Sequence, residues 1–135
     1  CAGAQAATTN ANIELTLTIP KLCTINSPTK SLAVPTNGSA VSANFTVTCN
    51  TNYSLNTSTA NYTSKANYLV FGDKKVETNI VTKDKAGKQI AVADTTQYNG
   101  GSVDSFTMSV NTKQAVSAIQ TAGIYKDTYK VLVTY

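Results

Sequence analysis

At 135 residues the chain is most simply one domain, long enough to bury a real core. Charged residues are only 13% of the total, and the net charge of +4 comes from eleven Lys and no Arg. Guanidinium forks for phosphates or base edges are therefore absent, the Lys are scattered, and no nucleic-acid partner is expected. With no His, the Ser-His-Asp and Cys-His arrangements and the commonest metal ligand are also missing. The seven acids (Glu14, Asp73, Glu77, Asp84, Asp94, Asp104, Asp127) form no clustered pair, so the sequence argues against an enzyme and indicates no cofactor. No apolar run is long enough to span a membrane as a helix.

The chain starts C-A-G-A-Q-A, and Ala4-Gln5-Ala6 has the A-x-A form that ends a secretory leader, which puts an expected mature start at Ala7. A lipid-anchored or free Cys1 is the alternative. Residues 12–19 read N-I-E-L-T-L-T-I and are closed by Pro20. Ile13, Leu15, Leu17 and Ile19 fall on one face and Glu14, Thr16 and Thr18 on the other, the alternation of a half-buried strand. Such a strand near a terminus needs a sheet, either its own or another molecule's.

Next come Leu22 to Ile25, a loop at Ser27-Pro28, and Leu32 with Val34 as a further short strand before the turn at residues 35–38. Val41, Ala43, Phe45, Val47 and Cys49 alternate along a strand over 41–49, and Tyr53 and Leu55 carry the parity past the Asn50-Thr51-Asn52 turn. Residues 56–64 read as a polar loop. Strands are expected over 66–71, 78–83 and 89–93, separated by hairpin turns at 72–75 and 85–87. After a break at Asn99-Gly100-Gly101, residues 103–110 alternate with Phe106, Met108 and Val110 inward. Residues 113–120 fit either a short helix or a loop. Short strands with a turn signal about every ten residues indicate a β-sandwich. Five N-x-S/T sequons, at Asn37, Asn44, Asn52, Asn56 and Asn61, read as turn and surface chemistry in a chain this rich in Asn and Thr.

Cys23 and Cys49 have no metal-type C-x-x-C spacing, and with no His beside them a disulfide is the leading reading, which implies an oxidising compartment. The C-terminal stretch, G-I-Y-K-D-T-Y-K-V-L-V-T-Y, puts Tyr125, Asp127, Tyr129, Val131, Val133 and Tyr135 on one face of a strand. A sandwich whose last strand is this one has an open groove, while the front of the chain offers a spare apolar strand. Head-to-tail filling of one molecule's groove by the next molecule's strand answers both, and because the contact is heterologous it generates a fibre.

The C-terminal pattern G-x-Y-x-D followed by alternating aliphatics and an aromatic resembles that of spore coat U domain proteins, which include the pilins of archaic, Csu-type chaperone–usher pili. The front is similar too, with an alternating segment before Cys23 and a second Cys at the end of the next strand. The likeness covers residues 12–26, 41–50 and 122–135, and is only compatible in between. It implies an incomplete immunoglobulin-like β-sandwich over 21–135, with residues 1–11 a leader remnant or flexible start and 12–20 a donor strand. It further implies a periplasmic chaperone that lends the missing strand, an outer-membrane usher, and donor-strand exchange into surface pili for adhesion and biofilm formation. On this resemblance Ile13, Leu15, Leu17 and Ile19 are donor residues, Cys23 and Cys49 the disulfide, and the strand from Tyr125 to Tyr135 one wall of the acceptor groove. The alternatives are a self-complemented monomeric spore-coat or envelope protein, and a carbohydrate-binding module using Tyr and Asn.

Overall fold

The computed structural model describes residues 6–135; Cys1 to Gln5, and with them most of the leader pattern, lie outside the described residues. The described chain is all-β, with nine strands in two sheets arranged as a sandwich. They are β1 (Cys23–Asn26), β2 (Val41–Cys49), β3 (Tyr53–Thr59), β4 (Asn67–Phe71), β5 (Lys74–Lys83), β6 (Gln89–Ile90), β7 (Thr95–Tyr98), β8 (Val103–Thr112) and β9 (Tyr129–Thr134). One sheet has the order β1-β2-β8-β5-β4, with β6 on β5; the other has the order β7-β3-β9. All pairings are antiparallel.

Alternation sets which residues face inward. In β2, Phe45, Val47 and Cys49 are buried, while the outward Ser42 and Asn44 hydrogen-bond across to Ser109 and Thr107 of β8. The core gathers Val47, Cys49, Tyr53, Leu55, Ile90 and Phe106, with Phe106 stacked on Phe45 at 5.1 Å and edge-on to Tyr98 at 5.3 Å. These residues sit at the end of the sandwich where β2 turns into β3. The same end holds the Cys23–Cys49 disulfide, which is compatible with an extracytoplasmic location.

Several sequence expectations are corrected. Leu32 and Val34 form no strand; they lie in the connection from β1 to β2. The loop expected from residue 56 is strand as far as Thr59, because Thr57 and Thr59 point into the core and are buried. Polarity misled there: Thr is β-branched and fits a pleated interior. The hairpin turn is only Gly72 and Asp73, with Gly72 at φ 59°, and Lys74 and Lys75 already belong to β5. Only Gln89–Ile90 of the stretch expected over 89–93 pairs as a strand, and β7 was not expected from its T-T-Q-Y sequence. Residues 113–120 are loop. The last strand starts at Tyr129, so Tyr125 and Asp127 precede it.

Candidate groove and N-terminal arm

The two ends of the sandwich differ. Beyond Phe45 the sheets diverge around a cavity of about 1070 Å³, larger than the roughly 300–1,000 Å³ typical of small-molecule sites. Its walls include Ile25 of β1, Phe45 of β2, Leu69 of β4, Val76 of β5, Met108 of β8 and Val131 of β9. The connections over residues 27–36 and 116–128 form its rim, clasped together where the Val116 N–H donates to the Thr36 carbonyl at 2.8 Å. Leu32 and Val34, which sequence alternation picked out as a strand, contribute to this rim instead.

Among the described residues β9 pairs only with β3, leaving its other edge free. Tyr129, Val131 and Val133 turn inward but are only half-buried, while Tyr135 is exposed. The Tyr129 hydroxyl shares a 2.6 Å hydrogen bond with Thr82, and burial pushes its pKa up. Two polar atoms of the cavity wall, Thr112 Oγ1 and Asp127 Oδ2, are buried without a hydrogen-bond partner.

The G-x-Y-x-D segment before β9 is held by each of its named residues. Gly123 packs under the Phe71 ring so closely that a Cβ there would lie 2.5 Å from it. The Tyr125 ring lies tilted against Phe71 with centroids 5.6 Å apart, and its hydroxyl donates to the Thr121 carbonyl at 2.6 Å. Asp127 Oδ1 accepts from the N–H groups of Asn61 and Thr128, and the Asn61 amide donates to the carbonyls of Tyr68 and Lys126. These bonds tie the approach to β9 onto β4, where Lys126 and Val70 also exchange backbone bonds. Sequence reasoning placed Tyr125 and Asp127 in the groove-wall strand; they stand on its rim and position it.

No family model matches this chain, and no curated protein matches it either.

The arm, residues 7–19, joins neither sheet. Ile13, Leu15, Leu17 and Ile19 are 82%, 89%, 85% and 69% exposed. Four large apolar side chains of one parity thus stand in solvent, well beyond the scattered exposed Leu or Ile of an ordinary surface. The arm leaves from Cys23, which pairs with Cys49 at the packed end, whereas the cavity lies toward Val41 and Thr112 at the other. Sequence-predicted donor residues and groove residues are therefore not brought together within one molecule.

The packed end carries a polar network that sequence reading overlooked. Asp104 points inward from β8 and is 4% exposed; its carboxylate accepts from the Tyr53 hydroxyl, Lys85 Nζ at 2.9 Å and Ser102 Oγ at 3.1 Å. Burial opposes its ionisation, yet the hydrogen bonds and the Lys85 charge together hold its pKa below the usual carboxylate range. Burial and the nearby carboxylates push Tyr53 and Tyr98 up, so both stay protonated donors. Alternation along 103–110 already gives Asp104 the parity of Phe106, which was the signal available.

Proposed function

We propose that this chain is a structural subunit that polymerises head to tail, the arm of one copy completing the groove of the next. The observation that carries it is the pairing of opposites on one molecule: an exposed segment with four apolar prongs of one parity, departing from the packed pole, and an open apolar cavity toward the other. An inserted strand would hydrogen-bond the free edge of β9 and place its alternate side chains between the sheets. Burying four Leu or Ile side chains contributes roughly 6–12 kcal/mol before ordering costs, enough for a long-lived joint. The resemblance to archaic chaperone–usher pilins extends the reading to an immunoglobulin-like subunit exported through the periplasm, kept soluble by a chaperone, passed through an usher and assembled into surface pili for adhesion and biofilm formation.

The rival is a monomer whose arm turns back at Pro20 to fill its own groove. It draws support from the arm's attachment to β1, an edge strand whose Ile25 lines the cavity. Parity tests the main reading. Leu15→Asp or Leu17→Asp should abolish the ladder of detergent-resistant multimers on an unheated gel, since a buried charge forfeits most of the joint. Thr16→Lys or Thr18→Lys, on the opposite face, should leave it intact. A ladder kept by all four variants removes the arm from the joint, and a clean wild-type monomer with a protected arm favours the rival.

A further inference from the structure

The base of the arm is held by one side chain that neither lines the groove nor belongs to the arm. Asn50, just past the disulfide, makes three hydrogen bonds to the residues where the arm departs. Its Oδ1 accepts from the Leu22 N–H at 2.8 Å, its Nδ2 donates to the Pro20 carbonyl at 2.9 Å, and its own N–H donates to the Leu22 carbonyl at 3.1 Å. Among the described residues these are the first bonds that tie the chain to the body, and residues 7–19 run free ahead of them. The effect is to continue the β1–β2 pairing one step beyond Cys23–Cys49 at Leu22 and to hold Pro20 beside it.

Followed backward, the line of β1 points away from the molecule's own cavity. β1 runs from Cys23 at the packed pole toward Asn26, in the direction of the groove, so an arm continuing it backward leaves past the packed pole. An arm turned back into its own groove would have to bend close to Pro20, where the Asn50 side chain holds the chain. Asn50 is in turn fixed from behind. The Gly101 N–H donates to the Cys49 carbonyl at 2.8 Å, and Gly100 packs so tightly on the next residue that a Cβ there would lie 2.1 Å from the Thr51 carbonyl oxygen.

We infer that Asn50 is a positioning residue that aims the arm outward, favouring insertion into a second copy over insertion into its own groove. This rests on the polymerisation reading and adds a determinant to it: the choice between self-completion and assembly is set at the arm's base rather than in the groove. Asn50→Ala removes both side-chain bonds, while Asn50→Asp keeps the acceptor for Leu22 but loses the donor to Pro20. Each such bond is modest in net strength, so the expected change is about tenfold in the protein concentration needed for multimers, with Asn50→Asp in between.

The test compares full-length wild-type, Asn50→Ala and Asn50→Asp chains by multimer ladder and by amide exchange over residues 13–19 in dilute monomer. Wild type should exchange these amides at the solvent rate; Asn50→Ala should protect them and form fewer multimers. Groove integrity is checked in a Leu15→Asp, Leu17→Asp background, where the arm occupies no groove. There a synthetic peptide of residues 12–20 should bind equally with Asn50 or Ala at position 50. An Asn50→Ala ladder equal to wild type overturns the inference, as does loss of peptide binding in that background, which would make Asn50 a support of the fold. Failure of the peptide to bind even with Asn50 in place overturns polymerisation itself, and the inference with it.

Discussion

The packed and open ends of this sandwich are built from the same strands, and they differ in what meets across the gap. At the packed end Val47, Leu55 and Phe106 are 0%, 0% and 1% exposed, with Tyr98 and Ile90 closing over them. At the open end β2 continues as Ala43 and β9 carries Val131, both only half-buried, and no described strand lies on the free edge of β9 to cover them. Alternation is equally good in both halves. A strand's periodicity thus states which face wants burial, not whether this molecule supplies the cover.

The largest effect that sharpens this contrast is at the packed end. Phe106→Ala should cost about 3–5 kcal/mol in urea unfolding, because it deletes a fully buried ring packed between Phe45 and Tyr98. Val76→Ala, at the half-buried open wall, should cost less than about 1 kcal/mol in the isolated chain. Adding a peptide of residues 12–20 should raise the stability of the wild type and enlarge the Val76→Ala deficit, but leave that of Phe106→Ala unchanged. Equal costs without peptide would mean the two ends are equally packed.

Reduction of Cys23–Cys49 should come next. The bond closes a 26-residue separation and should contribute roughly 3 kcal/mol in the chain-entropy picture, read as a drop in the urea midpoint under reductant. It acts at the packed pole, so peptide affinity at the other pole should change little once the chain is refolded.

The smallest effect is acid sensitivity of the packed end. Asp104 has a folded pKa below its unfolded one, so its contribution is complete above the ordinary carboxylate pKa and is lost as pH falls through the folded value. An acid titration should therefore remove that contribution below about pH 4, and Asp104→Asn should flatten that part of the curve. A curve unaltered by Asp104→Asn would assign the acid loss to other carboxylates.

The all-β class, the inward parity of Phe45, Val47, Phe106, Met108 and Val110, and the apolar face of the arm were legible in the residues alone, and Cys23–Cys49 was the leading reading there before the structure showed the bond. Each of these follows from nearest-neighbour chemistry: a period of two, turn residues, and, of the chain's three Cys, two inside the strand region with no metal-binding spacing. Thr57 and Thr59 escaped because a β-branched polar residue reads the same on either face, and β7 because T-T-Q-Y has no apolar alternation. Invisible without the folded chain were the facts that Leu32 and Val34 rim a cavity, that Gly123, Tyr125 and Asp127 fasten the approach to β9, and that Asn50 holds the base of the arm at Pro20 and Leu22. The fold also decided that the arm departs from the packed pole, whereas the cavity lies toward Val41 and Thr112. Those facts depend on contacts between residues far apart in the chain, whose geometry is set by how two sheets stack and where one of them stops, and no local pattern carries that information.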